Sequence, residues 1–132
     1  MTWQDTAKRL VEQDWWEWGD PKLSGLLLAH ERAGGVWVDT QRWPWRPEWW
    51  PHVVKGGYFP DLTDWATVGI LMGMVAEIAA TEEESMIISF APYESDLWLA
   101  QLFRSGINKE QGAAIAGEAV ALLLLELKGE WK

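Results

Sequence analysis

The feature that most constrains this chain is an apolar stretch of helical period that starts directly after a cluster of capping residues. Trp65, Val68, Leu71, Met72, Val75, Ile78 and Ala79 recur at spacings of three and four. That spacing gathers them on one helical face, which needs a partner layer to cover it. The preceding residues, Phe59-Pro60-Asp61-Leu62-Thr63-Asp64, put Asp61 or Thr63 where a side-chain oxygen accepts from the free amides of the first turn. Asp64 adds negative charge where the helix dipole favours it. Ile70 and Met74 lie off the stripe, so this helix is expected to be covered on more than one side. Gly69 and Gly73 lower helix propensity by about 1 kcal/mol each relative to Ala and are expected to let a neighbouring backbone approach closely.

Around this helix the chain divides by composition. Its 132 residues suit a single domain able to bury a core without disulfides or metals. Residues 1–59 form a helical, Trp- and Pro-rich part, and residues 60–132 a helix–strand–strand–helix core. Thr2 with Asp5 makes a capping box for a first helix to about Asp14, and Asp20-Pro21 starts a second. Leu23, Leu26, Leu27 and His30 share the inner face of that second helix, and Gly34-Gly35 closes it. Val36-Trp37-Val38 reads as a short strand, and the stretch from Val53 to Phe59 as a small hairpin. Met86 to Phe90 and Leu97 to Phe103 read as antiparallel strands joined by a turn at Pro92 to Ser95. Asn108 with Gln111 then caps a last helix through Ala113, Ala116, Val120, Leu123, Leu124 and Leu127, stopped by Gly129. The expected fold is α+β: a small antiparallel sheet with helices packed on both faces, an α/β/α sandwich.

Charge and composition narrow the function classes. Residues 1–60 hold 7 basic and 8 acidic side chains and residues 61–132 hold 4 and 12, so the second half carries -8 of the net -9. Such a field disfavours nucleic acid and anionic membranes as partners. The absence of cysteine excludes disulfides, thiol chemistry and cysteine-bound zinc and suits a reducing cytoplasm. No basic-then-apolar leader is visible, and no run approaches the roughly 20 apolar residues of a membrane span.

Two stretches resemble the phage ABA-sandwich family of small phage and prophage proteins. Pro60-Asp61-Leu62-Thr63-Asp64-Trp65 is similar to that family's helix start, and Gly117-Glu118-Ala119-Val120-Ala121-Leu122-Leu123 to its closing helix. Val11-Glu12-Gln13 through Trp18-Gly19 resembles the family's leading helix, which ends near a Gly-Trp pair, here in the order Trp-Gly. The resemblance covers about residues 60 to 128, and the Trp-Pro segment before Pro60 departs from the family pattern. It implies a phage or prophage origin, an α/β/α layered domain in the host cytoplasm and no assigned chemistry.

Motifs for catalysis are scarce. His30-Glu31 begins like a zinc-binding H-E-x-x-H, but Gly34 stands where the second histidine belongs. His30 therefore reads as a helix-face residue satisfied by a neighbour. No nucleophile elbow or phosphate loop is present, so no cofactor or metal is expected. His52 with unlocated carboxylates leaves a small hydrolase or nucleotide-processing enzyme as an alternative. Glu82-Glu83-Glu84 with Glu94 and Asp96 reads as a solvated charge run rather than a phosphate-mimicking ridge.

The sharpest candidate site is the segment from Trp43 to His52. Trp43, Trp45, Trp49 and Trp50, with Arg46 and His52, can form a platform that stacks a ring or a cationic ligand. The same residues also suit a proline-stapled cover over the sheet, or a homo-oligomer interface. The leading expectation is an accessory phage protein that binds a host protein or a small ligand without catalysis. A structural homo-oligomer is a further alternative.

Overall fold

The computed structural model describes residues 2–32, 34–43, 56–80, 87–93, 97–104 and 107–130. The chain is α+β, with helices packed against two three-stranded antiparallel sheets. The strands expected from Met86 to Phe90 and from Leu97 to Phe103 correspond to neighbours in one of these sheets, and the other is built from the N-terminal part of the chain.

Helix α1 spans Trp3–Val11 and opens with the expected capping box: the Asp5 amide donates to Thr2 Oγ1 at 3.3 Å and the Thr2 amide to Asp5 Oδ2 at 3.2 Å. Beyond it the second helix expected from Asp20-Pro21 does not form. Asp20 does cap, accepting from the Lys22 amide at 3.0 Å, but only a 3₁₀ turn over Pro21–Leu23 follows. The chain then enters strand β1 (Leu27–Arg32), which pairs antiparallel with β2 (Gly35–Arg42). The apolar spacing misled here because Leu28, Ala29 and His30 are buried in succession, the mark of a strand covered on both faces. Gly34, at φ +102°, serves the hairpin reversal and not a helix end.

On the other side of β1 lies the two-residue strand β3 (Phe59–Pro60), giving the order β2-β1-β3. Pro60 is tolerated because a short edge strand does not need its missing donor. Phe59 pairs with Ala29 of β1, and residues 53–55, the other arm of the expected hairpin, lie outside the described residues.

Helix α2 covers Trp65–Ala80. Its cap is Asp64, whose Oδ2 accepts from the Thr67 amide at 3.0 Å, while Asp61 Oδ1 takes the Thr63 amide and hydroxyl in a turn just before. The cap thus sits one residue past Thr63. Thr67 Oγ1 donates to Asp64 and accepts from the Leu27 amide, both at 3.0 Å, tying the helix start to β1. Arg42, at the end of β2, grips Asp64 through two nitrogens at 2.6 and 3.0 Å. Val68, Leu71 and Val75 are buried as the stripe requires, whereas Trp65 is 62% exposed; the side chain of Ala79 lies outside the described residues.

The second sheet comprises β4 (Ile87–Tyr93), β5 (Leu97–Arg104) and β6 (Ile107–Ala113), in that spatial order. Pro92 and Tyr93, expected in the turn, belong to β4 and pair with Trp98 and Leu97. Asn108 and Gln111 do not cap a helix: they pair with Phe103 and Ala100 in the ladder. Gln111 sits on a half-covered strand, donating to Glu126 at 2.8 Å while neighbouring Glu110 and Gly112 are exposed.

Helix α3 (Ala116–Glu130) carries Gly129 inside it rather than as its stop. It touches α1, α2, β5 and β6, and Ala119, Val120, Ala121, Leu123, Leu124 and Leu127 are all buried. The close backbone approach expected at Gly69 and Gly73 occurs elsewhere. A methyl group at either of those positions meets nothing within 4 Å, but one at Gly117 would overlap the Leu62 carbonyl. One apolar cluster runs from Ala7 in α1 to Leu127 in α3.

Two outcomes follow. In thermal unfolding, Gly117→Ala destabilises by about 3 kcal/mol or more, because the obstacle is backbone, while Gly69→Ala and Gly73→Ala each stabilise by up to about 1 kcal/mol. The Arg42 guanidinium, with help from Thr67, holds the Asp64 carboxyl down from 3.8 to about 2. A depressed carboxyl stabilises the fold above its unfolded value, and that contribution fades as pH falls from about 4 to about 2. With Arg42 46% exposed, the screened contribution is about 1–2 kcal/mol. Asp64→Asn should therefore flatten the urea-midpoint profile across this acid window, and an unchanged slope would show that the ion pair does not couple to folding.

Candidate functional site

The last turns of α1 place Lys8, Val11 and Glu12 on one face, since positions three and four apart are neighbours on a helix. Just after the helix, backbone bonds from the Gln13 amide to Leu10 and from the Trp16 amide to Gln13 fold the chain tightly back. This holds Trp15, Trp16 and Trp18 together. Their rings continue edge to face into Trp43: Trp15–Trp16 at 6.2 Å, Trp16–Trp18 at 5.5 Å and Trp18–Trp43 at 5.7 Å between centroids. Such edge-to-face contacts favour a defined ring orientation beyond simple burial.

Trp43 is the anchor of this ladder. It is 1% exposed, its indole N–H donates to the Trp18 carbonyl at 3.0 Å, and its backbone bonds both ways with residues 25 and 26. Of the residues read as a platform, then, Trp43 stands inside the fold, supporting Trp18 from behind. Trp45, Arg46, Trp49, Trp50 and His52 lie outside the described residues, as do Glu82, Glu83, Glu84, Glu94 and Asp96.

Trp16 and Trp18 face a cleft of about 590 Å³ whose other walls are Tyr58, Gly56 and Gly57, and the α1 residues Lys8, Val11 and Glu12, with Glu31 from β1. Tyr58 is set by an edge contact with His30, 5.0 Å between ring centroids. His30 is thus a buried strand residue in ring contact with the cleft wall. Lys8 Nζ lies 2.5 Å from Glu31 Oε2 and 5.7 Å from the centre of the Phe59 ring. Its charge is already engaged. Glu12 is exposed and, among the described residues, has no ion-pair partner. Among the described residues the buried Trp16 indole N–H has no hydrogen-bond acceptor, a deficit that ordinarily costs about 1–3 kcal/mol.

A smaller cavity of about 230 Å³ lies between the start of α2 and β5, beside the Trp65–Trp98 pair at 5.6 Å. Among the described residues no group of three or more His, Cys, Asp or Glu side chains is placed to hold a metal ion, and no helix is long and apolar enough to cross a membrane. Comparison with known protein families, with curated proteins and with solved structures finds no match.

Lys8, Glu12, Trp16, Trp18, Glu31 and Tyr58 are not among the site residues expected from the sequence. The available signal was three tryptophans in four positions next to a helix face bearing Lys8 and Glu12. The paired and unpaired indoles give a direct test. Trp43→Phe orphans the Trp18 carbonyl whereas Trp16→Phe breaks no hydrogen bond, so urea unfolding should show the Trp43 variant less stable than the Trp16 variant by about 1 kcal/mol.

Proposed function

We propose that this chain works by binding rather than by catalysis, and that the cleft beside Trp16, Trp18 and Tyr58 takes a small ligand. The observation that carries this reading is a concavity of about 590 Å³, within the size range of small-molecule sites, walled by aromatic rings and edged by a few charged groups. The ladder from Trp15 to Trp43 supports it as well: rings locked behind the wall pre-organise the surface, which reduces the ordering that binding must oppose. The resemblance of residues 60–65 and 117–123 to the phage ABA-sandwich family adds the further proposal that the chain is an accessory protein of a phage or prophage, acting in the host cytoplasm.

A second reading, a homo-oligomer, rests on a different observation. Among the described residues strand β2 forms an edge of its sheet, and there Trp37 is 55% and Val38 47% exposed. Apolar residues on an unprotected edge invite pairing with another strand.

Native mass spectrometry of the chain recovered from a host lysate separates the two. A retained mass of a few hundred daltons that disappears in Trp18→Ala, with the variant's circular dichroism unchanged, is the expected result. A multiple of the chain mass that reverts to monomer in Trp37→Lys favours the oligomer, and bare monomer throughout counts against both.

A further inference from the structure

We propose that the cleft is selective for a quaternary or methylated ammonium, an organic cation whose charge is spread over methyl groups. This rests on reading the cleft as the binding site, and it follows from the charges and rings around it. Trp16, Trp18 and Tyr58 line the space together, and the electron-rich faces of such rings attract cations most strongly when the cation is poorly hydrated.

The formal charges agree in sign. Lys8, Glu12 and Glu31 sum to -1, and Lys8 is held by Glu31, which leaves Glu12 as the uncompensated charge. Glu12 is also the C-cap of α1, so the cleft opens at the helix end where the backbone dipole is negative and cations are favoured. An anionic ligand would meet both fields with the wrong sign.

The number of acceptors then selects among cations. A primary ammonium carries three donors that need acceptors once desolvated, yet Glu12 is the one lining carboxylate without a partner among the described residues. A quaternary ammonium has no donor to satisfy. The Trp16 N–H does not enter into recognition, because it is closed off from the cleft surface.

The test is an NMR titration of the isotope-labelled full chain, read at the indole N–H signals, with choline, acetylcholine and a peptide carrying trimethyllysine. The neutral isostere 3,3-dimethylbutan-1-ol, in which carbon replaces the quaternary nitrogen, runs in parallel. At least one ammonium should bind about tenfold or more tighter than the isostere. Glu12→Gln should weaken that ammonium severalfold and leave the isostere unchanged. Preference for the peptide over the free cations assigns the ammonium to a protein partner, and the reverse to a small metabolite. Equal binding of the isostere overturns the ammonium proposal while leaving the cleft as a binding site. Silence from every probe overturns it too. If Trp18→Ala also leaves the lysate-derived mass unchanged, the binding reading falls with it.

Discussion

The contact on which the rest of the structure depends is the seat of Gly117 on the Leu62 carbonyl. With hydrogen in place of a methyl, α3 settles against the turn that leads into α2, and only then can its apolar length bury itself among α1, α2, β5 and β6. The same seat fixes α1, because Glu118, the next residue, accepts from the buried Thr6 hydroxyl at 3.0 Å. A hydroxyl inside the core would destabilise if left unpaired, so this bond sets the register of α1 on α3. At the far end Lys128 lies over the Trp15 ring, 5.3 Å from its centre, linking the last turns of α3 to the aromatic ladder.

The cleft follows from this arrangement. α1 is held on α3 from one side, β1 and β3 close from the other, and the tryptophans after α1 fill the corner between them. The polar frame works in the same direction. Asp64 accepts from the Thr67 amide at the start of α2 and from Arg42 at the end of β2, while Thr67 bonds the first residue of β1. One carboxylate and one hydroxyl therefore join the first sheet to α2, and the strand that carries Glu31 to the cleft is positioned through them.

Much of the α-helical plan was legible. The Thr2–Asp5 box, the Asp20 cap and the stripe of Val68, Leu71 and Val75 are local patterns, and each appears where the sequence places it. The failures share one cause. Leu23, Leu26, Leu27 and His30 fit a helical period, and Asn108 with Gln111 fits a cap, but Leu27 and His30 lie in β1 and Asn108 and Gln111 in β6, strands whose neighbours lie far along the chain or beyond a turn. Pairing with β2 and β3 buries Leu28, Ala29 and His30 in succession, and the ladder with β5 claims residues 107–113. Strand preference is decided by such partners more than by local composition.

By itself the sequence determined the α+β class, the start of α1, the lack of cysteine chemistry and the acidic second half, since these are properties of composition and of residues within a turn of one another. Tertiary structure decided what local spacing does not contain. It divided the strands into two sheets and moved the close backbone approach from Gly69 and Gly73 to Gly117. It put Trp43 inside as a support and brought Lys8, Glu12, Trp16, Trp18, Glu31 and Tyr58 around one space. Those six residues span fifty positions of chain, and only the packing of α1, β1 and the tryptophan loop on a common core sets their side chains face to face.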